Sequence, residues 1–359
     1  VSDAAAARTA ALEPLAREAG FDWFGVAAAA GLDEARARLE QWLAEGRHGS
    51  MEWLARDPAR RADPRLVLAE CRSVVIVGMN YLREAPPRRG SIVDPPAAGM
   101  GRISRYARTR DYHRVLEGRL RRLARAIDVV VAPGSTTRAY VDYGPVLERD
   151  WAARAGIGFI GKHTLLIHPR QGSFHFLAAL LTTAELAPTA ALPHADGCGD
   201  CRRCIDACPT GAITEPWRLD ARRCLSYLTI EHPGPPGEAH DPKTVAGQVF
   251  GCDICQDVCP YNQSRAAPAD EPSPLGPPIV AAEVPLATLI AAPDEWLAAL
   301  GDVATPLRRA GAEALRRNAL IAAASAPTPE TCRAAAAVAE DSGQPEWMRQ
   351  LARRAAQGG

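Results

Sequence analysis

The sequence predicts an α+β protein built in three successive parts. Three observations carry this. Apolar residues switch between helical and strand-like spacing up to about residue 188. Eight of the ten cysteines then crowd between Cys198 and Cys259. Beyond a Pro/Ala-rich stretch, residues 279–359 read as helix alone.

In the first part, Asp3–Ala19 predicts a helix, with Leu12, Leu15 and Ala19 on one side and Gly20 as its stop. Phe21–Val26 reads as a short strand and Leu32–Leu43 as a second helix. Ser73-Val-Val-Ile-Val-Gly78 is a continuous apolar run, the mark of a strand buried on both faces. A Pro-rich loop spans Pro86–Pro96. Asp111–Ile127 is strongly amphipathic, with Leu116, Leu120, Leu123 and Ile127 on one face. Val129–Ala132 and Arg138–Val141 read as strands, and Leu147–Ala155 as a helix. Leu165–Ile167 and Phe174–Leu181 read as extended.

The cysteines are the most specific signal. Cys198-Gly-Asp-Cys201-Arg-Arg-Cys204-Ile-Asp-Ala-Cys208-Pro209 matches the bacterial ferredoxin run C-x2-C-x2-C-x3-C-P. Cys252-Asp-Ile-Cys255-Gln-Asp-Val-Cys259-Pro260 is a shorter second block. In such runs the last cysteine serves the other cluster. One cluster then takes Cys198, Cys201, Cys204 and Cys259. The other takes Cys208, Cys252, Cys255 and Cys224, the one nearby thiol that completes a set of four. Zinc is the alternative for any CxxC pair. A disulfide framework does not suit a long chain of this kind.

The helical segments that follow are Leu286–Ile290, Trp296–Leu300, Leu307–Ala324, Ala334–Ala339 and Glu346–Ala356. Helices of this size in succession resemble HEAT-like repeats. Formal net charge is zero over 359 residues, so a nucleic-acid partner would have to use local patches. No apolar run reaches membrane-spanning length, and no secretory or twin-arginine pattern opens the chain. The expectation is a cytoplasmic protein that does not enter a membrane.

Several motifs have two readings. Gly156-Ile-Gly-Phe-Ile-Gly161-Lys162-His163 contains GxGxxG, but a helix precedes it and an extended run follows. A nucleotide loop needs the reverse order, so a glycine-dependent turn is the plainer reading. Nine arginines from Arg102 to Arg125 could meet phosphates, or could form a solvated helix face. Arg308, Arg309, Arg316 and Arg317 form a second basic cluster. Cys71 and Cys332 read as small core residues. Asp142 stands at a strand end among apolar neighbours. Burial would raise its pKa and make it a proton donor; otherwise it is a turn aspartate before Gly144-Pro145.

These pieces occur in one order: Ile103-Ser-Arg-Tyr106-Ala, Asp111-Tyr-His, Asp142-x-x-Pro145-x-x-Glu148-Arg149, Gly161-Lys162-His163, Cys224-Leu-Ser-Tyr227-Leu-Thr-Ile-Glu231, and the double cysteine block. In that order they resemble the epoxyqueuosine reductase family, over nearly the whole chain. The linker Pro233–Pro242 and the segment after Asn262 match no motif. The resemblance implies a cobalamin-binding domain over 1–188, similar in fold to flavin nitroreductases and reductive dehalogenase cores. It implies a ferredoxin-like domain with two [4Fe-4S] clusters over 189–265, and a HEAT-like tRNA-binding region over 279–359. The implied reaction converts epoxyqueuosine to queuosine at the wobble position of tRNA. Asp142 matches the proton donor. Arg61, Tyr106, Asp142, Lys162, His163, Thr164 and Tyr227 match positions around the corrin. The resemblance further implies an unpaired anticodon loop as substrate, contacts from the arginines between Arg102 and Arg110, an external electron donor and a monomer. The rival readings are a cobalamin reductive dehalogenase, an electron-transfer ferredoxin subunit, and a tRNA-binding module with structural clusters.

Overall fold

A four-stranded antiparallel sheet underlies the first part of the chain, in the spatial order Trp23–Ala28, Ser73–Asn80, His175–Thr182, Thr137–Tyr140. The computed structural model describes residues 2–84, 94–192, 197–245, 247–270, 272–302 and 305–358. Residues 85–93 of the Pro-rich loop lie outside these. Ser73–Asn80 is central and pairs along its whole length with His175–Thr182. Its side chains alternate between the two faces, as the pleat requires. Val75 and Val77 join Leu12, Leu116, Leu120 and Leu123 in one core. Val74 and Ile76 join Trp151, Ala152 and Ala155 in another. The sheet is therefore covered by helices Asp3–Glu18 and Tyr112–Ala126 on one face and by Glu148–Arg154 on the other. Each fully buried leucine contributes about 1.5–3 kcal/mol, so the apolar stripe of Tyr112–Ala126 fixes where the start of that helix must lie.

The expected strand Val129–Ala132 is not formed. The helix instead runs on through a π turn, Ile127–Val131. Ile127 keeps the helical face in the core, while Val129 and Val130 are 63% and 71% exposed. The Asp128 carboxylate accepts from Ser135 Oγ at 3.0 Å and Thr137 Oγ1 at 2.6 Å, which ties this turn to the next strand. The β preference of three valines is overridden by the helix already under way. In the GxGxxG segment, a side chain at Gly158 would collide with the Ile167 carbonyl. Close backbone packing accounts for that glycine.

A second sheet joins regions far apart in sequence. Met100–Ile103 pairs in parallel with Gln248–Phe250 and antiparallel with Glu283–Pro285. The region after the linker is thus not purely helical, since Glu283–Pro285 is a strand. Its three residues carry too little periodicity to be read without their partner. Helices Leu286–Ala291, Asp294–Asp302, Gly311–Ser325, Pro329–Glu340 and Glu346–Ala356 follow. They share one core with Ile103, Val249 and Phe250. Among the described residues, no helix is long and apolar enough to cross a membrane.

Candidate functional site

The structure brings the cysteines together in two groups. Cys198, Cys201, Cys204 and Cys259 line one cavity of about 210 Å³, with His163 and Tyr261. Burial and the neighbouring thiols of Cys198, Cys259 and Cys201 push the Cys204 thiol up to about 12. Cys208, Cys224, Cys252 and Cys255 form the second group. Burial pushes Cys252 and Cys255 well up, and the thiols around them, Cys208 and Cys224 included, add to it. Thiols crowded in this way favour any ligand that takes the place of their protons, as a metal centre does. Among the described residues, no three His, Cys, Asp or Glu side chains converge on one point as a single ion requires. The first four thiols instead surround a cavity, which suits a multi-iron cluster. Backbone N–H groups of Lys162 and Ala212 point at Cys198 Sγ (3.4 Å) and Cys208 Sγ (3.2 Å), the kind of contact that tunes a cluster potential.

Asp142 lies at a sharp turn after Thr137–Tyr140, with φ of 62°, a left-handed conformation uncommon for a residue with a side chain. Its side chain is 63% exposed, yet its carboxylate is engaged. The Tyr112 phenol donates to Asp142 Oδ2 at 2.5 Å, and His113 Nε2 stands 3.4 Å from the same oxygen. Tyr112 is held by stacking on Phe176, with centroids 4.0 Å apart. His113 Nδ1 is 2.7 Å from Asp111 Oδ1. Asp111 also caps the helix that starts at Tyr112 by accepting from the His113 amide.

The electrostatics here correct the sequence expectation. Although the side chain reaches solvent, the protein crowded around its carboxyl would by itself raise Asp142; the hydrogen bonds from His113 and Tyr112 outweigh this and hold the carboxyl below its ordinary value. Burial opposes charge on His113, yet its bonds to Asp111 and Asp142 push it up to about 9. The raised carboxyl is Glu148, pushed up to about 8 by burial and by Asp142. Apolar neighbours in sequence do not reveal which donors the fold will aim at a carboxylate.

Other sequence-marked residues fall in separate places. Arg61 joins the Asp142 turn, donating to the carbonyls of Gly144 (3.4 Å) and Trp53 (2.7 Å). Lys162 reaches the first cysteine loop, donating to the carbonyls of Gly199 (2.6 Å) and Cys201 (3.0 Å). His163 is buried beside that loop, and burial lowers it to about 4. Thr164 has φ of 68° and its carbonyl accepts from Arg149. Tyr106 packs among Tyr112, Phe176 and Phe250. Tyr227 follows Cys224, and its phenol hydroxyl meets the Ser50 amide at 2.8 Å. Three buried atoms in this set, Arg61 Nε, His163 Nε2 and Glu148 Oε1, have no hydrogen-bond partner. The Arg61 and Glu148 atoms lie on the Asp142 side, where unfilled polar atoms fit a bound group with many amides, such as cobalamin, whereas His163 lines the first cysteine cavity.

The arginines divide sharply. Arg105 is committed to Asp253 (3.4 Å) and Asp257 (2.6 Å), which lie within the second cysteine block. Arg108 is buried and donates to the Ile103 carbonyl at 2.8 Å. Arg102 pairs with Glu283 at 3.0 Å. Much of the Arg102–Arg110 run therefore knits the fold rather than facing phosphate. Arg317 is wholly buried, donating to the carbonyls of Leu228, His232 and Gly234. Arg316 is buried against the Ile290 and Ala292 carbonyls and Asp294. Arg309 reaches toward Asp142: its guanidinium lies over Trp53 at 4.8 Å and is paired with Glu231 at 2.9 Å. Sequence reading gave no site role to Tyr112, His113 or Glu148. The Asp-x-His spacing at a helix start was the available signal for His113.

Comparison with known proteins gives the following. A family described as "4Fe-4S double cluster binding domain" matches residues 197–262. One described as "Epoxyqueuosine reductase QueG, DUF1730" matches residues 61–143. An epoxyqueuosine reductase of Xanthomonas campestris is 40% identical over 330 residues, 91% of this chain and 89% of that protein. That of Escherichia coli is 37% identical over 314 residues, 88% of this chain and 80% of the relative. A crystal structure of epoxyqueuosine reductase with an epoxyqueuosine-modified tRNA-Tyr stem loop superposes with a TM-score of 0.84 at 27% identity, covering 97% of this chain and 89% of that one. A Bacillus subtilis epoxyqueuosine reductase, described with an Asp catalytic loop swung out of the active site, gives a TM-score of 0.83 at 27% identity over 96% of this chain and 88% of its own.

Proposed function

The chain belongs to the epoxyqueuosine reductase family of oxidoreductases, and from that premise we propose that it reduces epoxyqueuosine to queuosine at the wobble position of tRNA, with Asp142 as proton donor. The single observation that carries the reading is the joint presence of eight gathered thiols and a carboxylate in a strained turn, bonded to two proton-bearing side chains.

Residues 1–188 form the cobalamin-binding part, 189–265 the part with two [4Fe-4S] clusters, and 279–359 a HEAT-like region toward the tRNA. The cysteine sets are Cys198, Cys201, Cys204, Cys259 and Cys208, Cys224, Cys252, Cys255. When bound, the clusters supply one-electron carriers. Bound cobalamin supplies the strong reductant that side chains lack. Arg61, Tyr106, Asp142, Lys162, His163, Thr164 and Tyr227 hold that cofactor. The orphaned Arg61 Nε beside the Asp142 turn supports this.

The chain's own work is positioning and proton supply. An epoxide oxygen leaves poorly as an alkoxide, and a donor beside it removes that barrier. The turn at Asp142 projects its carboxyl outward, while Tyr112 and His113 restrain it. Lys162 pins the first cysteine loop to the segment that carries His163. Arg309, stacked on Trp53, offers a cation at the same mouth for a tRNA phosphate. The protein acts as a single chain with an external low-potential electron donor.

The test uses tRNA carrying epoxyqueuosine, reconstituted protein and a chemical reductant, with and without cobalamin. Digestion and mass spectrometry of the nucleosides read the loss of one oxygen. Queuosine is expected only when cobalamin is present. Equal conversion without it removes cobalamin, and no conversion under either condition overturns the reading.

A further inference from the structure

We propose that Asp111, His113 and Asp142 form a proton relay, in which His113 supplies the proton that Asp142 delivers and Asp111 fixes the imidazole. The inference rests on the reading of Asp142 as the acid and adds the source of its proton.

The geometry is a chain of three groups. The Asp111 carboxylate can only accept, so His113 Nδ1 at 2.7 Å carries a hydrogen toward it. That leaves Nε2 as the second ring nitrogen, which stands 3.4 Å from Asp142 Oδ2 as an ion-pair contact. The imidazole is clamped between the Tyr112 ring at 4.0 Å and the Tyr143 ring at 6.0 Å. A carboxylate behind an imidazole sets its orientation and stabilises its charged form.

The relay answers a difficulty in the Asp142 site. An acid whose carboxyl is held below its ordinary value carries almost no proton at neutral pH. His113 is charged over the same range, because two carboxylates flank it. The groups facing this pair on the helix are Asp111, Tyr112 and, through Tyr143, Glu117, and the Tyr106 phenol faces it from the segment before the helix. On the turn they are Asp142 and Glu148, and from the tail Arg308 faces Asp111 and Arg309 faces Asp142.

The proton steps balance. The His113 Nε2–H bond breaks as an O–H bond forms on Asp142. That O–H bond breaks as a new one forms on the epoxide oxygen and the C–O bond opens. Two electrons come from the reductant that the activity requires, a second proton from solvent completes water, and the alkene remains. His113 is left neutral and is recharged from solvent. It acts through Asp142 and is a positioning and supply residue, not one that touches the substrate.

The test measures turnover against pH for holo wild-type protein, His113→Gln, Asp111→Asn and Asp142→Asn, together with NMR titration of labelled histidines in the oxidised holo protein. In the wild type, one ring titrates near 9 and turnover falls above the same pH. That ring signal is absent from His113→Gln and drops toward about 6.5 in Asp111→Asn and Asp142→Asn. At pH 8, His113→Gln turns over about ten- to a hundredfold more slowly, with activity that recovers as pH falls. A wild-type pH profile in His113→Gln, or no histidine titrating above about 8 in the wild type, overturns the relay while leaving Asp142 as the acid. Full turnover in Asp142→Asn would instead overturn the reading of Asp142. If His113→Gln loses its iron through misfolding, the wild-type titration and the Asp111→Asn profile decide.

Discussion

The cysteine module and the Asp142 turn are built in opposite ways. The module draws its first four thiols from eleven consecutive residues and closes with short returns of the chain. The turn gathers Asp111–His113, Asp142–Glu148, Arg61 and Arg309 from four distant segments. In the module, spacing within each block brings like groups together, and burial raises Cys204, Cys224, Cys252, Cys255 and Cys259 alike. At Asp142, burial and hydrogen bonding oppose each other, and the sign depends on which donors the fold supplies. Chemistry encoded in spacing is robust to the rest of the chain; chemistry encoded in environment is not.

The cysteine module is most vulnerable at Cys224, the one proposed ligand set apart from both blocks. Cys224→Ala is expected to abolish turnover and to lower iron from about eight to about four per chain. Full iron content in that variant would overturn the assignment of the second set. Next is Arg105, which links the segment before the Tyr112 helix to Asp253 and Asp257 beside the cysteines. Arg105→Ala leaves two buried carboxylates without their cation and is expected to destabilise the protein by about 3–5 kcal/mol. Denaturant unfolding measures this. A change under about 0.5 kcal/mol, the range of an ordinary surface site, would show that the two regions are not joined there.

Glu148 gives a smaller, pH-dependent effect. Its folded pKa of about 8 lies above the unfolded value of 4.5, so the folded state keeps a proton that the unfolded chain has released. Stability therefore falls as pH rises from 4.5 through about 8. Glu148→Gln keeps the shape without the titration. Above pH 8 it is expected to melt several degrees higher than wild type, with the difference vanishing below pH 4.5. An unchanged pH dependence would show that Glu148 is not the buried acid of this turn.

What was legible in the sequence follows the same division. Leu116, Leu120, Leu123 and Ile127 lie in the core as their helical spacing requires, and Cys198, Cys201, Cys204 and Cys259 line one cavity. The sheet joining Met100–Ile103 to Gln248–Phe250 and Glu283–Pro285 was not legible, because each strand is short and its partners are far away. Arg105, Arg108, Arg316 and Arg317 read as surface charge until the fold showed carbonyls and carboxylates waiting for them. The position of Asp142 was legible, but the direction of its pKa was not, since Tyr112 and His113 reach it only across the folded turn.

The most direct test of the account is single-turnover conversion of epoxyqueuosine in tRNA by Asp142→Asn, loaded with clusters and cobalamin and reduced under the same conditions as wild type. Unchanged iron content and tRNA binding are expected, with conversion slower by about 10²–10⁴-fold at matched cobalt loading. Conversion at the wild-type rate would contradict the account.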